Sequence, residues 1–284
     1  MVSTVPENDT TANGTGRPAR RTAGQAVDAA RAEGRAALVA YLPVGFPDVA
    51  TSVEAARAAV DGGADIIELG LPYSDPTMDG PTIQQAVDVA RARGTRPTDV
   101  LRAVEAVAAT GAATLVMTYW PPVDRYGVAR FAADLADAGG AGLITPDLIP
   151  DEAAEWVAAA DERDLDKVFL VAPSSTEKRL AMTSAASRGF VYAASLMGVT
   201  GARASVGAGA RGLVERTRAA GAERVCVGLG VSTPEQAGEV AAYADGVIVG
   251  SAFVARMLEA DDPAAGVRAV GELAARLSAG IRDR

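Results

Sequence analysis

Histidine is absent from all 284 residues of this chain. Its absence removes the commonest proton carrier near neutral pH, the Ser-His-Asp and Cys-His arrangements, and nearly every protein zinc site. Lysine occurs only as Lys167 and Lys178, in DLDKVF and STEKRL, contexts that read as solvent-facing. A Schiff-base lysine needs a desolvated pocket, so neither is expected to form one. The one cysteine, Cys226, cannot make an internal disulfide, and within RVCVGLG it reads as a buried structural thiol. Acid–base work therefore falls to Asp, Glu or Tyr, and no metal site is expected.

Other scarcities narrow the class further. No apolar run approaches the roughly 20 residues of a membrane span, and no charged-then-apolar start reads as a secretory signal. A formal net charge of −9 repels phosphate backbones and anionic membrane surfaces. The chain reads as soluble and cytoplasmic. Aromatic residues make up only 5% of it, yet 49% is hydrophobic, mostly Ala, Val, Leu and Ile. That composition suits helices packed on buried parallel strands.

Residues 1–20 are polar, carry Gly and Pro, show no period, and read as a flexible tail. Short apolar runs then alternate with alanine-rich amphipathic stretches. The predicted strands cover 35–45, 64–70, 113–120, 141–147, 167–173, 189–195, 224–230 and 245–251. Between them, segments such as 49–63, 96–111, 128–140, 151–164, 176–189 and 233–246 read as helices, several opening on Asp, Ser or Thr and closing on Gly. Eight alternations predict a (β/α)8 barrel with additional N-terminal and loop helices, one catalytic domain over 21–284. A doubly wound sheet is the competing fold, but YLPVGFPD lacks the Gly-rich fingerprint its first turn needs.

In such a barrel, chemistry sits at the carboxyl ends of the strands. Glu68 closes the second run, ADIIELG, and has two readings: a rim carboxylate paired with an arginine, or a carboxyl whose pKa rises in an apolar pocket so that it gives and takes a proton. Asp75 and Asp79 follow in PYSDPTMDGPT. Both fit ordinary turn chemistry, and Asp79 could cap the helix beginning near Pro81, but the connection is long for this architecture. Glycines crowd three neighbouring strand ends: Gly201 in GVTGAR, Gly228 and Gly230 in CVGLGVSTPEQA, with Ser232 or Thr233 as a helix cap, and Gly250 with Ser251 in GVIVGSAFV. Backbone N–H groups there, with a helix N-terminus, suit a phosphate.

GLPYSDPTMDGPTIQ, with Glu68 just before it, resembles the signature of the tryptophan synthase alpha subunit family. YLPVGFPD, FVYAASLMGVTGAR, GLGVSTPEQ and DGVIVGSAFV match the same family in order and spacing, so the likeness runs from about residue 25 to near the C-terminus. The resemblance implies cleavage of indole-3-glycerol phosphate to indole and glyceraldehyde 3-phosphate. It implies Glu68 as catalytic glutamate and Asp79 as catalytic aspartate. Tyr192 matches a pocket tyrosine, though a core aromatic is an equal reading, and Thr200 matches a threonine that contacts the aspartate on loop closure. Gly201, Gly230, Gly250 and Ser251 match phosphate binders. A beta subunit is the implied partner, in an alpha2beta2 heterotetramer, and pyridoxal phosphate (PLP) is implied only there, with no cofactor in this chain. Pro121 stands where the family usually has asparagine, in a loop implicated in beta-subunit contact. Proline removes a donor and fixes φ, which puts partner affinity in question.

Without a lysine iminium or a metal, the indole ring itself must accept the electrons of a retro-aldol cleavage. Glu68 is expected to act in both proton transfers, with Asp79 ionised at the indole N–H. Loops 73–80 and 195–207 are expected to close on substrate. The alternatives are a free-standing lyase acting without a beta subunit, a non-catalytic phosphate-binding scaffold, and a phosphosugar isomerase, whose site would not need PYSDPTMDGP.

Overall fold

The computed structural model describes residues 20–194, 203–228 and 230–283. Eight parallel strands close into a barrel in sequence order: β1 (Ala37–Pro43), β2 (Ile66–Gly70), β3 (Ala113–Met117), β4 (Gly142–Thr145), β5 (Asp166–Val171), β6 (Val191–Ala194), β7 (Val225–Gly228) and β8 (Gly246–Val249). All but β5 lie inside their predicted runs, several of which over-reached at the ends; β5 begins one residue before its run, at Asp166. The helices are α1 (Ala23–Ala32), α2 (Val49–Asp61), α3 (Pro81–Ala92), α4 (Pro97–Ala108), α5 (Trp120–Tyr126) and α6 (Val128–Asp137), then α7 (Ala154–Asp161), α8 (Glu177–Ala186), α9 (Arg203–Ala219), α10 (Pro234–Ala241), α11 (Ser251–Leu258) and α12 (Pro263–Arg282). Among the described residues no helix is long and apolar enough to cross a membrane.

Strand alternation sorts the side chains into two cores. Leu38, Ala40, Ile67, Leu69, Phe169 and Val247 face outward into the layer shared with the helices. Val39, Ile66, Leu115, Ile144, Val168 and Ile248 face inward and fill the barrel. Period two along a strand gives this division. α1, opened by a Thr22–Gln25 capping box, lays Ala23, Ala26, Val27 and Ala30 against the inward set and closes the amino end of the barrel.

Three aspartates lock that same end. Asp65 accepts the Leu38 N–H at 2.9 Å and holds the Arg35 guanidinium. Asp166 accepts the Ala23 N–H at 2.6 Å, tying α1 to β5. Asp245 accepts the Val225 N–H at 2.8 Å and pairs with Arg218 at 2.9 Å. Lys167 is also here: it is buried beside Asp161, not solvent-facing as its sequence context suggested, whereas Lys178 is exposed on α8. Its context was misread because DLDKVF opens a strand: Lys167 shares outward parity with Phe169 and is covered by the helix layer, where Asp161 of α7 pairs with it.

The barrel also tolerates no side chain at Gly142, where an added Cβ would sit 2.2 Å from the Asp166 carbonyl oxygen of the paired strand. Gly142→Ala is expected to lower stability by about 1–3 kcal/mol, the cost of overpacking against backbone. Urea unfolding of variant and parent would measure it.

Candidate active site

Toward the carboxyl ends of the strands, Glu68, Tyr41 and Tyr192 take inward places beside Met117 and Leu170, and Tyr119 follows β3. Glu68 shares inward parity with Ile66 and is fully buried. Neither carboxyl oxygen has a hydrogen-bond partner, so the arginine-paired rim reading does not hold. Burial alone pushes its pKa up to about 8, because transfer from water penalises the charged form and nothing here offsets it. At neutral pH the group carries its proton.

Asp79 lies in the β2–α3 connection, half-buried. It does not cap α3: the N-cap is Gly80, with no side-chain cap bond. Instead its backbone carbonyl accepts Gln84 Nε2 at 2.7 Å, which pins the residue to the first turn and leaves the carboxylate for the cleft. Burial raises its pKa, opposed by a hydrogen bond with the Tyr119 hydroxyl. Tyr119 itself accepts the Met78 N–H at 3.0 Å and stacks on Tyr73 with centroids 5.2 Å apart, so one aromatic pair anchors the loop. Asp75 is an exposed turn residue bonded to the Ser74 hydroxyl, as turn chemistry predicted.

Two strand-end glycines give the tyrosines their room. A Cβ on Gly70 would lie 2.4 Å from Tyr41 Oη, and one on Gly228 would lie 2.5 Å from Tyr192 Oη. Each phenol therefore leans from its own strand over the glycine of the next, β1 to β2 and β6 to β7. Burial raises both phenol pKa values, helped by the facing carboxylates of Glu68 and Asp79. Tyr192 is half-buried, packed against the inward core with Glu68 facing its hydroxyl. Cys226, inward and one layer below, is buried, and burial pushes its thiol up, which suits a structural role.

The glycine-rich strand ends differ from one another. At α10 the cap is Thr233, not Ser232, and the Ser232 and Thr233 N–H groups already donate to Gln236 Oε1. At α11 the N-cap is Gly250, with no side-chain cap. The Phe253 and Val254 N–H groups donate to the Gly250 carbonyl, and among the described residues no acceptor meets the N–H groups ahead of them, a helix start that suits an anion. Gly230 sits at φ 70 with open space around it, a conformation glycine adopts freely. Thr200 and Gly201, and most of the 195–207 loop, lie outside the described residues. Lys167 lies at the start of β5, at the amino end of the barrel, and Lys178 is exposed in the first turn of α8; among the described residues no cluster of three His, Cys, Asp or Glu side chains could hold a metal.

A family model for the tryptophan synthase alpha chain matches residues 27–282. This chain belongs to that family. It is 63% identical over 256 residues to the tryptophan synthase alpha chain of Thermobifida fusca, spanning 89% of this chain and 95% of the relative. With that of Streptomyces coelicolor it shares 62% over 257 residues, 90% of this chain and 95% of the relative. Among solved structures, an aminoacrylate-bound form of tryptophan synthase from Mycobacterium tuberculosis matches with TM-score 0.84 and 53% identity, over 93% of this chain and all of that one (100%). Tryptophan synthase subunit alpha from Legionella pneumophila gives TM-score 0.83 at 29% identity, over 92% and 98%. Family membership makes the chain a lyase of tryptophan biosynthesis.

Within the tryptophan synthase alpha frame, Pro121 falls in the first turn of α5, after Trp120, whose N–H donates to Asp147 at 2.9 Å. A first-turn N–H has no helical acceptor, so proline there costs the helix nothing; the lost donor matters only to whatever docks outside. Sequence reading missed Tyr41 and Tyr119. Parity along β1 could have found Tyr41, which is in step with the inward Ala37 and Val39. Tyr119 follows its strand, and only the folded loop brings it to Asp79.

Glu68 also sets a pH dependence of stability. Its folded pKa of about 8 lies above the ordinary 4.5. Between those values the unfolded chain has lost a proton that the folded chain keeps, so its burial weakens the fold progressively as pH rises, with no penalty below about 4.5 and the full penalty above about 8. The stability of Glu68→Gln relative to the parent is expected to improve by on the order of a few kcal/mol from pH 5 to 9. Urea titrations across that range would show it; parallel curves would mean Glu68 does not titrate so high.

Proposed function

We propose that the barrel mouth cleaves indole-3-glycerol phosphate into indole and glyceraldehyde 3-phosphate by carboxyl acid–base catalysis, with residues 21–284 as one catalytic domain. The observation that carries this reading is the fully buried, unpartnered, protonated carboxyl of Glu68 on β2, which together with Asp79 faces the same two phenols, Tyr41 and Tyr192. Glu68 is poised as a general acid before substrate arrives.

The steps balance without an external electron acceptor. Glu68 gives its proton to indole C3, and the ring becomes an indolenine with a cationic C=N. The resulting Glu68 carboxylate takes the proton of the glycerol hydroxyl next to the ring. The C–C bond breaks, its electrons return to the ring, the hydroxyl carbon becomes an aldehyde, and Glu68 recovers its proton. Asp79, ionised, accepts the indole N–H and stabilises the positive charge that develops there. Tyr192 lines the ring pocket. The substrate phosphate sits on the free N–H groups at Gly250 and Ser251, with Gly230 and, by resemblance, Gly201 completing the cradle; Thr200 is assigned to Asp79 on the same ground. Burying the phosphate end fixes the reacting carbon over Glu68.

No cofactor is assigned to this chain, and PLP is assigned to a beta subunit, with which it forms an alpha2beta2 assembly in the cytoplasm. Pro121 supports a variant of this reading in which the chain releases indole without that partner. Indole release measured with and without a beta subunit separates the two.

Glu68→Gln is expected to lower indole release at least about a thousandfold while glycerol phosphate ligands still bind. Asp79→Asn should lose rate more than affinity, with kcat falling at least about tenfold and KM nearly constant. Near-parental kcat in Glu68→Gln would remove the carboxyl mechanism, as would a lysine adduct trapped with borohydride.

A further inference from the structure

We propose that Tyr41 is a positioning residue for Glu68, its hydroxyl donating a hydrogen bond to the glutamate carboxylate in the half of the cycle when that group is ionised. The inference rests on the lyase reading, in which Glu68 alternates between acid and carboxylate.

The resting structure prepares only one of those states. A neutral carboxyl tolerates a place with no partner, but an ionised one does not, since an unpaired buried charge costs far more than an unpaired neutral polar group. A donor must therefore reach Glu68 once its proton has gone to the ring. Among the described residues the groups that face it are the hydroxyls of Tyr41 and Tyr192 and the Cys226 thiol; Asp79 is itself a carboxyl, kept ionised in the proposed reaction, and Tyr119 faces Asp79.

Position selects Tyr41. It is the direct neighbour of Glu68 across the β1–β2 pairing, and paired residues of adjacent parallel strands are about 4.8 Å apart with side chains on one face. Its phenol then crosses to β2, where Gly70 is the next inward residue after Glu68. The hydroxyl occupies the place a residue-70 side chain would have, the next inward place after Glu68 on the same strand. Tyr192, by contrast, carries its hydroxyl over Gly228 on β7. The Tyr41 ring is held by Ile83 and Ala86 of α3 and Val254 of α11, with Gly250 beside it, so the hydroxyl is fixed before reaction. A fixed donor aimed at the place where charge develops stabilises that charge without reorganising. The phenol only donates; its proton stays on oxygen, because burial and the facing carboxylates hold its pKa well above the ordinary phenol value.

Tyr41→Phe keeps the ring and its packing and removes only the hydroxyl. Indole release should fall about tenfold or more in kcat with KM nearly constant. The alkaline limb of the kcat profile, where Glu68 loses its proton, should move up by about one pH unit, because the carboxylate has lost a donor. Gly70→Ala, which pushes the hydroxyl aside without deleting it, should shift the limb the same way. An unchanged rate and profile would overturn the proposal, and so would a lower rate with an unmoved limb, the mark of a packing role. A larger shift in Tyr192→Phe would give the role to Tyr192 and equally overturn it. If the parent releases no indole, the lyase reading fails by itself. The infrared carboxyl band of Glu68 in parent and Tyr41→Phe then still tests the donor, an equal titration midpoint in both being the overturning result.

Discussion

An acid with no partner, sealed among apolar side chains, is the constraint around which this barrel is arranged. Ile66 and Glu68 occupy successive inward places on one strand; the first stabilises the interior and the second weakens it at neutral pH. A carboxyl in that position stays neutral because ionisation would forfeit its hydration for nothing. The same penalty that costs stability supplies a proton donor at physiological pH, so the strain and the chemistry are one property. Evolved sites commonly hold local destabilisation of this kind where function needs it.

The mouth around Glu68 is built from large residues beside absent ones. Tyr41 and Tyr192 reach over Gly70 and Gly228, and a side chain at either glycine would displace the phenol above it. Glycine here contributes volume rather than φ freedom. Such complementarity puts two hydroxyls and an aromatic wall around the acid while keeping water scarce. At α11 glycine acts differently: an uncapped helix start at Gly250 leaves N–H donors that α10, closed by its own Thr233–Gln236 box, does not offer.

Opposite ends of the strands use similar residues for opposite purposes. Asp65, Asp166 and Asp245 sit where strands begin, each accepting a backbone N–H, and two of them also hold an arginine. Those are satisfied carboxylates that fasten the amino end and α1. Glu68 sits midway along β2, one inward place before its carboxyl end, and is left unsatisfied. The division of stability below and chemistry above follows the general polarity of such barrels. Pairing, not residue type, tells the two roles apart.

Periodicity, with the missing Gly-rich fingerprint of a doubly wound sheet, pointed to the barrel: eight apolar runs with helical segments between them leave few other closed arrangements, and each observed strand falls on its run to within one residue. The absence of histidine and the rarity of lysine restricted acid–base work to carboxyls and phenols before any fold was known. Motif order led to Glu68, Asp79 and the Gly250–Ser251 turn. Tertiary structure alone decided what those residues experience. Whether Glu68 meets an arginine or nothing, whether Asp79 caps a helix or faces the cleft, and whether Lys167 is wet or buried all depend on elements remote in sequence. Tyr41 and Tyr119 became site residues only when strands β1 and β3 were set beside β2. Local sequence carries period and turn chemistry, whereas desolvation and pairing arise from neighbours that only the closed barrel supplies.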